Sequence, residues 1–316
     1  MGAVPKLVCA TFDEFEAHLF GFDGRYHLTG PERGEWRSQA FCVERILVQL
    51  VSEGAACAYE GVTLHGWATL FVPRSPPQWY RMLGVPMDDR SLIHFAPGQE
   101  FRAAVNNANQ WLSLSAPAEL LQSGIGSDAS ALRTNRCLDL EPATIAALIE
   151  MLDRLAALEA SGTLPTQPLS RILEGELLAL WRFALGRGAQ RVSSKGRPAV
   201  SREAIFGRAV ALMSRRASLE VRIDDLCRAA GVCERTLRAV FNDEVGIGPH
   251  QYLQIHRLHR IRRALIAANP NRHTVAGIGA RHGYWNGSRL AHDYRALFGE
   301  LPSETLLRPI PQSSRS

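Results

Sequence analysis

The feature that most constrains this fold lies in the last third of the chain: a short helix, a glycine turn and a second helix. Apolar residues in that segment recur at spacings of three and four, as they do on one face of a helix. These residues are Ile223, Leu226, Ala230, Leu237, Val240 and Phe241. Gly231 interrupts the series, and glycine adopts the left-handed backbone of a tight turn without steric cost. Residues 222–245 are therefore predicted to form two helices packed across a turn.

The same pattern recurs downstream. Thr274 is a suitable N-cap for a third helix, and Gly283 supplies the second turn. Asn286–Phe298 is predicted to form the helix that follows this turn. Its packing residues would be Leu290, Tyr294 and Phe298. Gly277 and Gly279 lie inside the helix before the turn, where each glycine is expected to weaken the helix by ~1 kcal/mol.

A long amphipathic helix is predicted between the two copies. Pro249 stands at its start, where a missing backbone N–H costs nothing. One face carries Leu258, Ile261 and Leu265, whereas another carries Arg257, Arg260 and Arg263. About 18 residues at roughly 1.5 Å each span ~27 Å. That length would place two recognition helices in major grooves about one DNA turn, ~34 Å, apart.

Three separated motifs carry a resemblance to a known family. They are a G-x-x-P-x-x-Y segment at Gly246, Pro249 and Tyr252, a G-[FY] turn at Gly283 and Tyr284, and an F-G-x-x-P-S segment at Phe298, Gly299, Pro302 and Ser303. Over residues 200–308 this part of the chain resembles the AraC/XylS family of transcription regulators. The neighbourhood of Trp285 looks most similar to ethanolamine-utilisation regulators. The resemblance implies a double helix-turn-helix domain that binds duplex DNA.

The resemblance also implies which side chains meet the bases. Eight residues on the two recognition helices would face base edges: Arg235, Thr236, Arg238, Ala239, Gly287, Ser288, Ala291 and His292. An arginine can donate two hydrogen bonds to one guanine, so the first helix suits direct readout. The second helix has shorter side chains, which favour phosphate positioning and shape readout.

Five further polar residues are candidates for phosphate contacts. They are Asn242, Arg257, Arg260, Arg289 and Arg295. For the arginines of the long helix, together with Arg262 and Arg263, the alternative is a solvated helix face. Residues 197–316 hold 19 arginines against 10 acidic residues, whereas the remainder holds 17 basic and 21 acidic residues. This asymmetry favours a polyanion-binding module joined to a different domain.

Residues 1–116 are rich in short β-prone runs separated by turns such as residues 29–31 and 73–77. The runs are Arg25–Leu28, Ala40–Leu50, Ala55–Tyr59, Thr63–Val72, Ser91–Phe95 and Gln110–Ser115. This pattern predicts a sandwich or small barrel that senses an effector. Its aromatic residues are candidates for a pocket lining, with an ordinary β core as the alternative. The candidates are Trp67, Phe71, Trp79 and Trp111.

Residues 117–187 are predicted to be a helical coupling or dimerisation segment, and 188–199 a linker. Two helices are expected, at Glu141–Ala160 and Leu169–Leu185. Their apolar stripes are Ile145, Leu148, Leu152, Leu155 and Leu158, then Ile172, Leu173, Leu177, Leu180 and Phe183. These helices form either a dimer face or part of the protomer core. With the DNA-binding domain at 200–310, the fold class is α+β: a strand-rich sensor, a helical segment and an all-α domain.

Catalysis, metal binding and membrane insertion find little support. His65 and His94 stand in apolar runs without the spacing of metal ligands, so packed or surface histidines are favoured. The six cysteines include no C-x-x-C pair, which favours reduced thiols in the cytoplasm. The aromatic residues of the C-terminal third, Trp285 among them, are expected to be core. No cofactor, metal or membrane partner is predicted.

The sequence therefore predicts a regulator that is not an enzyme: an effector-responsive activator that binds promoter DNA in successive major grooves. The expected partners are promoter DNA, RNA polymerase, a small-molecule effector and a second copy of the chain. One alternative is a cupin-like enzyme with a DNA-binding appendage. The other is an architectural protein that bends DNA without an effector.

Overall fold

A computed structural model describes residues 4–9, 12–74, 79–122, 132–191, 202–215 and 221–308. The predicted turn at 73–77, the predicted linker at 188–199 and parts of the segments predicted at 1–116, 117–187 and 200–310 lie outside the described residues. The chain divides into two compact units. The first comprises Met1–Tyr26 and Arg33–Ser194, and the second comprises His27–Glu32 and Lys195–Ser316.

The first unit is built on two antiparallel sheets. The larger has the order β1 (Val4–Cys9), β3 (Trp36–Val43), β4 (Ile46–Glu53), β11 (Asn109–Pro117), β6 (Trp67–Pro73), β9 (Ser91–Phe95), β12 (Arg136–Asp139) and β13 (Ala189–Gln190). The smaller has the order β2 (Phe22–Leu28), β5 (Cys57–Thr63), β10 (Glu100–Val105), β7 (Tyr80–Met82) and β8 (Val85–Pro86). Short helices α1 (Phe12–Ala17) and α2 (Glu119–Gln122) accompany them. The predicted strand-rich architecture is confirmed.

Two predicted strands are in fact hairpin segments. Ala40–Leu50 contains the end of β3, a turn and most of β4, with Val43 opposite Ile46. Glu44 has a φ of 52° in this turn, a conformation that non-glycine residues seldom adopt, so no glycine marks the break. Residues 63–72 likewise contain the end of β5, a turn at Gly66 and most of β6.

Side chains along the central strands point alternately to the two faces of the larger sheet, and each face contributes to a different buried layer. On β11, Leu112 and Leu114 point into a core shared with helices, whereas Trp111 lines a cavity between the sheets. On β6, Leu70 belongs to the helix-side core and Phe71 lines the cavity. Both faces of the larger sheet are therefore covered, which explains why its strands read as continuous apolar runs.

Helices α3 (Pro142–Ala160) and α4 (Leu169–Arg187) cover the outer face of the larger sheet. The stripe predicted on α3 is buried except at Leu158, which is exposed near the helix end. The stripe predicted on α4 is wrong at two of its five positions: Leu177 is buried, and Leu173 and Leu180 pack against the core. The buried face there is Ser170, Glu174, Leu177, Leu178, Trp181, Ala184 and Leu185. Ile172 and Phe183 face solvent, because α4 has apolar residues on two opposite sides.

The second unit is helical. Among the helices that the structure describes in either unit, none combines the length and the hydrophobicity of a membrane span. Its helices are α5 (Arg202–Arg215), α6 (Ile223–Ala230), α7 (Glu234–Val245), α8 (Pro249–Ile266), α9 (Val275–Arg281), α10 (Gly287–Phe298) and α11 (Pro302–Leu307). Both predicted turns are present: Gly231 has a φ of 72° and Gly283 a φ of 86°. The all-α C-terminal part is therefore confirmed.

The central helix α8 is more buried than its sequence predicts. It packs against α7, α9, α10 and α11, so buried residues occur on most of its surface. These include the polar residues His256, His259 and Arg262. The sequence left two alternatives for the arginines of this helix, phosphate contacts or a solvated face, and both require an exposed side chain. That prediction is wrong for Arg262, which lies inside the unit.

Candidate nucleic-acid interface and buried cavity

The first candidate reading helix, α7, presents its predicted residues to solvent. Arg235, Thr236, Arg238, Ala239 and Asn242 are all exposed. On the opposite face, Leu237 and Phe241 anchor the helix in the core, where Phe206 packs on Phe241 with ring centroids 4.8 Å apart. Arg238 Nη2 lies 3.1 Å from Glu234 Oε1 in an exposed pair. Such pairs contribute ~0.3–0.5 kcal/mol, so the guanidinium is readily released to another acceptor.

The second candidate reading helix, α10, is held at its start by a side-chain cap. Asn286 Oδ1 accepts a hydrogen bond from the Arg289 backbone N–H at 3.0 Å. The predicted residues Gly287, Ser288 and His292 are exposed, Ala291 is half-buried, and Arg289 and Arg295 are exposed. The preceding helix α9 is capped by Thr274, as predicted.

An aspartate fixes α10 against its surroundings. Gln254 of α8 donates to Asp293 Oδ2 at 2.8 Å, and the Tyr284 hydroxyl donates to the same oxygen at 3.3 Å. Arg289 Nε lies 3.6 Å from that oxygen. Burial and the charge of Asp293 raise the pKa of Tyr284 to about 12, so its hydroxyl keeps the proton it donates. The turn, α8 and α10 thus share one hydrogen-bonded centre.

The arginines of α8 differ in their environments. Arg257 is half-buried and donates to the Val221 carbonyl at 3.0 Å, and burial lowers the pKa of its guanidinium. Arg260 is half-buried as well, whereas Arg263 is exposed. Arg257 therefore supports the residues before α6, and its predicted phosphate contact would require it to leave this carbonyl.

Arg262 joins α8 to the end of the chain rather than to solvent. Its Nη1 donates to Glu300 Oε1 at 2.7 Å, and its guanidinium lies 4.6 Å from the Phe298 ring centre. Glu300 also accepts from Thr305 at 2.7 Å and pairs with Arg308. This network holds α8, α10 and α11 as one block, which keeps both helix-turn-helix copies on one support.

Trp285 contradicts the prediction that the aromatic residues of this region are core. Its side chain is 79% exposed, in the turn immediately before the Asn286 cap. The other three, Phe241, Tyr284 and Phe298, are buried or half-buried. Trp285 does not follow the helical spacing that directs the other three aromatic residues into the core. It adds a large exposed side chain beside the start of the second reading helix.

A narrow cavity lies between the two sheets of the first unit, with a free volume of about 20 Å³. Its lining is Phe22, Tyr26, Glu53, Cys57, Tyr59, Phe71, Tyr80, Met82, Phe95, Phe101, Ala103, Ala104, Val105 and Trp111. Phe71 and Trp111 are two of the four residues predicted for a pocket, and their ring centroids lie 5.1 Å apart. Trp67 lies four residues from Phe71 on β6, ~13 Å along the strand, and packs on Phe20 instead. Trp79 is not part of the lining.

The sequence analysis missed the polar centre of this cavity, Glu53. Its carboxylate accepts from Tyr26 Oη at 2.8 Å and from Trp111 Nε1 at 2.6 Å, both at Oε1. At Oε2 it accepts from Asn109 Nδ2 at 2.6 Å and from Cys57 Sγ at 3.2 Å. These partners come from three strands, β2, β5 and β11, so no local pattern could reveal the cluster.

The donors around Glu53 keep their protons. Burial, reinforced by the negative charge of Glu53, raises the pKa of the Tyr26 hydroxyl and of the Cys57 thiol well above their usual values. Burial likewise raises the pKa of Tyr80. The cavity therefore contains one carboxylate among neutral donors and aromatic rings.

The two histidines weighed as metal ligands lie apart from one another. His94 is buried and accepts from Trp181 Nε1 at 3.3 Å, whereas His65 is exposed. Within the part of the chain that the structure describes, no group of three histidine, cysteine or acidic side chains is placed to hold a metal. Thr236 lowers the pKa of the exposed Cys233 thiol, a neighbour effect that the sequence did not indicate.

Comparison with known sequences identifies the C-terminal domain. Residues 226–308 match the family model of a helix-turn-helix domain. Over 125 residues, 39% of this chain, it is 31% identical to "XylDLEGF operon transcriptional activator 1" of Pseudomonas putida, of which 36% is covered. Over 103 residues, 33% of this chain, it is 32% identical to a "Probable thc operon regulatory protein" of Rhodococcus erythropolis, of which 31% is covered. The matches thus span about a third of these relatives.

Solved structures with related sequences include an AraC-type regulator from Chromobacterium violaceum. It is 27% identical, with a TM-score of 0.31, over 33% of this chain and 90% of that one. The AraC-like transcriptional activator CuxR is 15% identical, with a TM-score of 0.38, over 80% of this chain and 84% of that one. The sequence matches and the two capped helix-turn-helix units agree. Residues 226–308 are therefore a helix-turn-helix domain, and the C-terminal part of the chain is similar in sequence to transcriptional activators of the AraC/XylS type.

Proposed function

We propose that the chain is an effector-responsive activator of transcription that acts in the cytoplasm and has no enzymatic activity. In this proposal, α7 and α10 enter successive major grooves of promoter DNA. One observation carries it: two recognition helices expose their predicted reading residues while their other faces are locked onto a shared, buried α8. The Pseudomonas putida relatives are named as operon activators, which supports activation and contact with RNA polymerase.

The two recognition helices are proposed to read DNA differently. Arg235 and Arg238 lie on the exposed face of α7, where each guanidinium can contact one guanine for ~1–3 kcal/mol of discrimination. The exposed residues at the start of α10 are short, and Arg289 and Arg295 flank them. Phosphate contacts and shape readout therefore suit the second helix.

A base-by-base scan of a bound operator tests this division. Replacing Arg235 with alanine should relax base preference at one position under α7 and leave the preferences elsewhere unchanged. Ser288→Ala should change affinity evenly across operator variants. Arg154→Ala, which removes one exposed charge from α3 of the first unit, is the matched control. Sharp base preference found only under α10 would refute the division.

The cavity of the first unit is the proposed effector site. Its lining is mostly aromatic and contains one polar centre, the composition that small-molecule sites favour, and a ligand larger than a water molecule would have to move the lining side chains apart. An architectural DNA-bending protein would have no use for such a cavity. In a thermal-shift screen, a true effector at a hundred times its Kd should stabilise the protein by ~2.7 kcal/mol. An enzyme would instead convert the bound compound.

A second copy of the chain is the proposed partner of α4. Leu169, Ile172 and Phe183 are 50%, 57% and 50% exposed on one side of this helix. Burying such residues is favourable, and paired chains suit paired DNA sites. Sedimentation should show a dimer that Ile172→Glu dissociates, whereas Leu307→Glu, at an exposed leucine of the second unit, leaves it intact. A monomer at high concentration would exclude this pairing.

A further inference from the structure

We propose that Trp285, in the turn before α10, is a further DNA-reading residue whose indole ring packs on the methyl group of a thymine in the major groove. The inference rests on the proposed function, because it concerns the same duplex, and it assigns a base contact to a residue outside both recognition helices. It is carried by the exposure of the ring, by the hydrogen bonds that fix the backbone around it and by the charge of its surroundings.

The Trp285 ring lies at the surface of the second unit. The residue is 79% exposed, compared with 57% for Ile172 on α4. The other five tryptophans of the chain are buried or half-buried. Single exposed apolar residues are common, so exposure alone identifies no site. It does leave most of this ring available to a partner.

The backbone on both sides of Trp285 is fixed by hydrogen bonds. The Tyr284 backbone N–H donates to the Gly279 carbonyl at 2.9 Å, and the Tyr284 hydroxyl donates to a carboxylate of α10. On the other side, Asn286 caps α10 by accepting from the Arg289 backbone N–H at 3.0 Å. Trp285 therefore projects from a rigid link, and a tryptophan has only two side-chain torsions to order on binding. A contact made by this ring costs little conformational entropy.

The ring stands at the end of α10 that is expected to meet the bases. In helix-turn-helix proteins, residues at the N-terminus of the recognition helix contact the base edges. Here the first two residues of α10, Gly287 and Ser288, are exposed and have short side chains. They leave space beside the bases that a larger neighbour can fill. Trp285 is a large exposed side chain immediately before the Asn286 cap.

The charge around Trp285 favours DNA over another protein as the partner. Residues 245–292 contain seven arginines and no acidic residue. Arg281 and Arg289, four residues to either side of Trp285 in sequence, are both exposed. Asp293, the acidic residue that follows on α10, has a side chain only 16% exposed. Arginines on both sides of the ring would therefore attract the phosphates of a duplex.

The chemistry of indole indicates which base feature the ring meets. Indole is apolar over most of its surface, and the thymine methyl is the apolar group that the major groove presents. A cytosine at the same position has no methyl group and presents an amino donor instead. Trp285 is therefore expected to favour thymine at a position beside α10. The base preferences proposed for α7 are independent of this contact.

Replacing single thymines by deoxyuridine tests the contact, because the change removes only the methyl group. The full-length chain is titrated with an operator that it has selected from random duplexes. One or two replacements beside α10 should lower affinity about three- to fivefold, the effect of losing one buried methyl group. Trp285→Ala should weaken binding of the unmodified operator about tenfold and abolish this deoxyuridine effect, whereas Trp285→Phe should keep most of it. Leu307→Ala, at another exposed apolar residue of the second unit, is the matched control.

Quenching of tryptophan fluorescence by acrylamide gives a second readout. Because the other five tryptophans are at least partly buried, Trp285 should contribute most of the quenching in the free protein. Operator DNA should protect the ring, and Trp285→Phe should remove both the quenching and the protection. A ring that stays equally accessible in the complex would overturn the proposal.

Two other results would exclude the thymine contact while leaving the proposed function intact. One is a Trp285→Ala variant that keeps the deoxyuridine effect or loses affinity equally for every duplex. The other is reduced transcription with unchanged DNA affinity, which would indicate a protein partner for the ring. In both cases the binding would still depend on salt and on Arg235. A chain that binds no duplex at all would overturn both proposals.

Discussion

At the scale of single residues, His94 is the clearest source of pH dependence in the first unit. Its ring is fully buried, and burial lowers its pKa to about 4 from 6.5. In the unfolded chain this histidine therefore binds a proton below about pH 6.5. In the folded chain it binds that proton only below about pH 4. Stability falls as pH falls through this window. We expect a loss of ~2 kcal/mol from this residue between about pH 8 and pH 5.

Chemical unfolding of the first unit, followed by tryptophan fluorescence, measures this loss. His94→Gln should flatten the dependence of stability on pH, whereas His65→Gln, at an exposed histidine, should leave it as in the parent. A His94 variant with the parent's pH dependence would show that this histidine is not the source.

Glu300 is the residue on which the support of the two reading helices depends. Its replacement by glutamine would remove the ion pair with Arg262, whose side chain is only 4% exposed. Removing one member of a buried ion pair costs ~3–5 kcal/mol, and the partial exposure of Glu300 places the expected loss near ~2–3 kcal/mol. Denaturant unfolding of the second unit measures it. Glu150→Gln, which breaks an exposed pair on α3, should cost under ~0.5 kcal/mol.

At the scale of elements, Gly279 shows why a helix can require a poor helix former. A Cβ at this position would lie 2.8 Å from Leu290 Cδ2, and Leu290 is buried. Gly279→Ala should therefore destabilise the second unit by ~1–3 kcal/mol through overpacking, despite the better helix propensity of alanine. Gly175→Ala in α4, where a Cβ meets nothing within 4 Å, should stabilise by ~0.5–1 kcal/mol. Equal effects at the two sites would contradict this account.

Elements with strong local signals were predictable from the sequence. The caps and glycine turns of the helix-turn-helix copies act within a few residues, so Thr274, Gly231 and Gly283 were identified correctly. The buried side of α4 was not predictable in the same way. Its apolar residues lie on two opposite faces, and their spacing alone does not show which face is buried. Glu53 was missed because its four donors meet only after distant strands pair.

At the scale of the whole chain, the part proposed to bind DNA carries a positive net charge and the part proposed to sense an effector carries a negative one. The basic C-terminal part exposes arginines on α7 and α10, whereas the acidic remainder encloses a carboxylate in an aromatic cavity. An effector can regulate DNA binding only by binding the DNA-competent arrangement and the idle one with different affinity. The two activities are therefore measurable separately, one by titration of the cavity and one on DNA.

DNA affinity measured as a function of salt tests the central claim most directly. With about six phosphate contacts, log K should fall with log salt at a slope of about −5. The double variant Arg235→Ala, Arg238→Ala should lose at least ~2 kcal/mol of preference for the operator over random duplex. Arg154→Ala should behave as the parent. Affinity that ignores salt, operator sequence and both arginines would contradict the account that α7 and α10 read DNA.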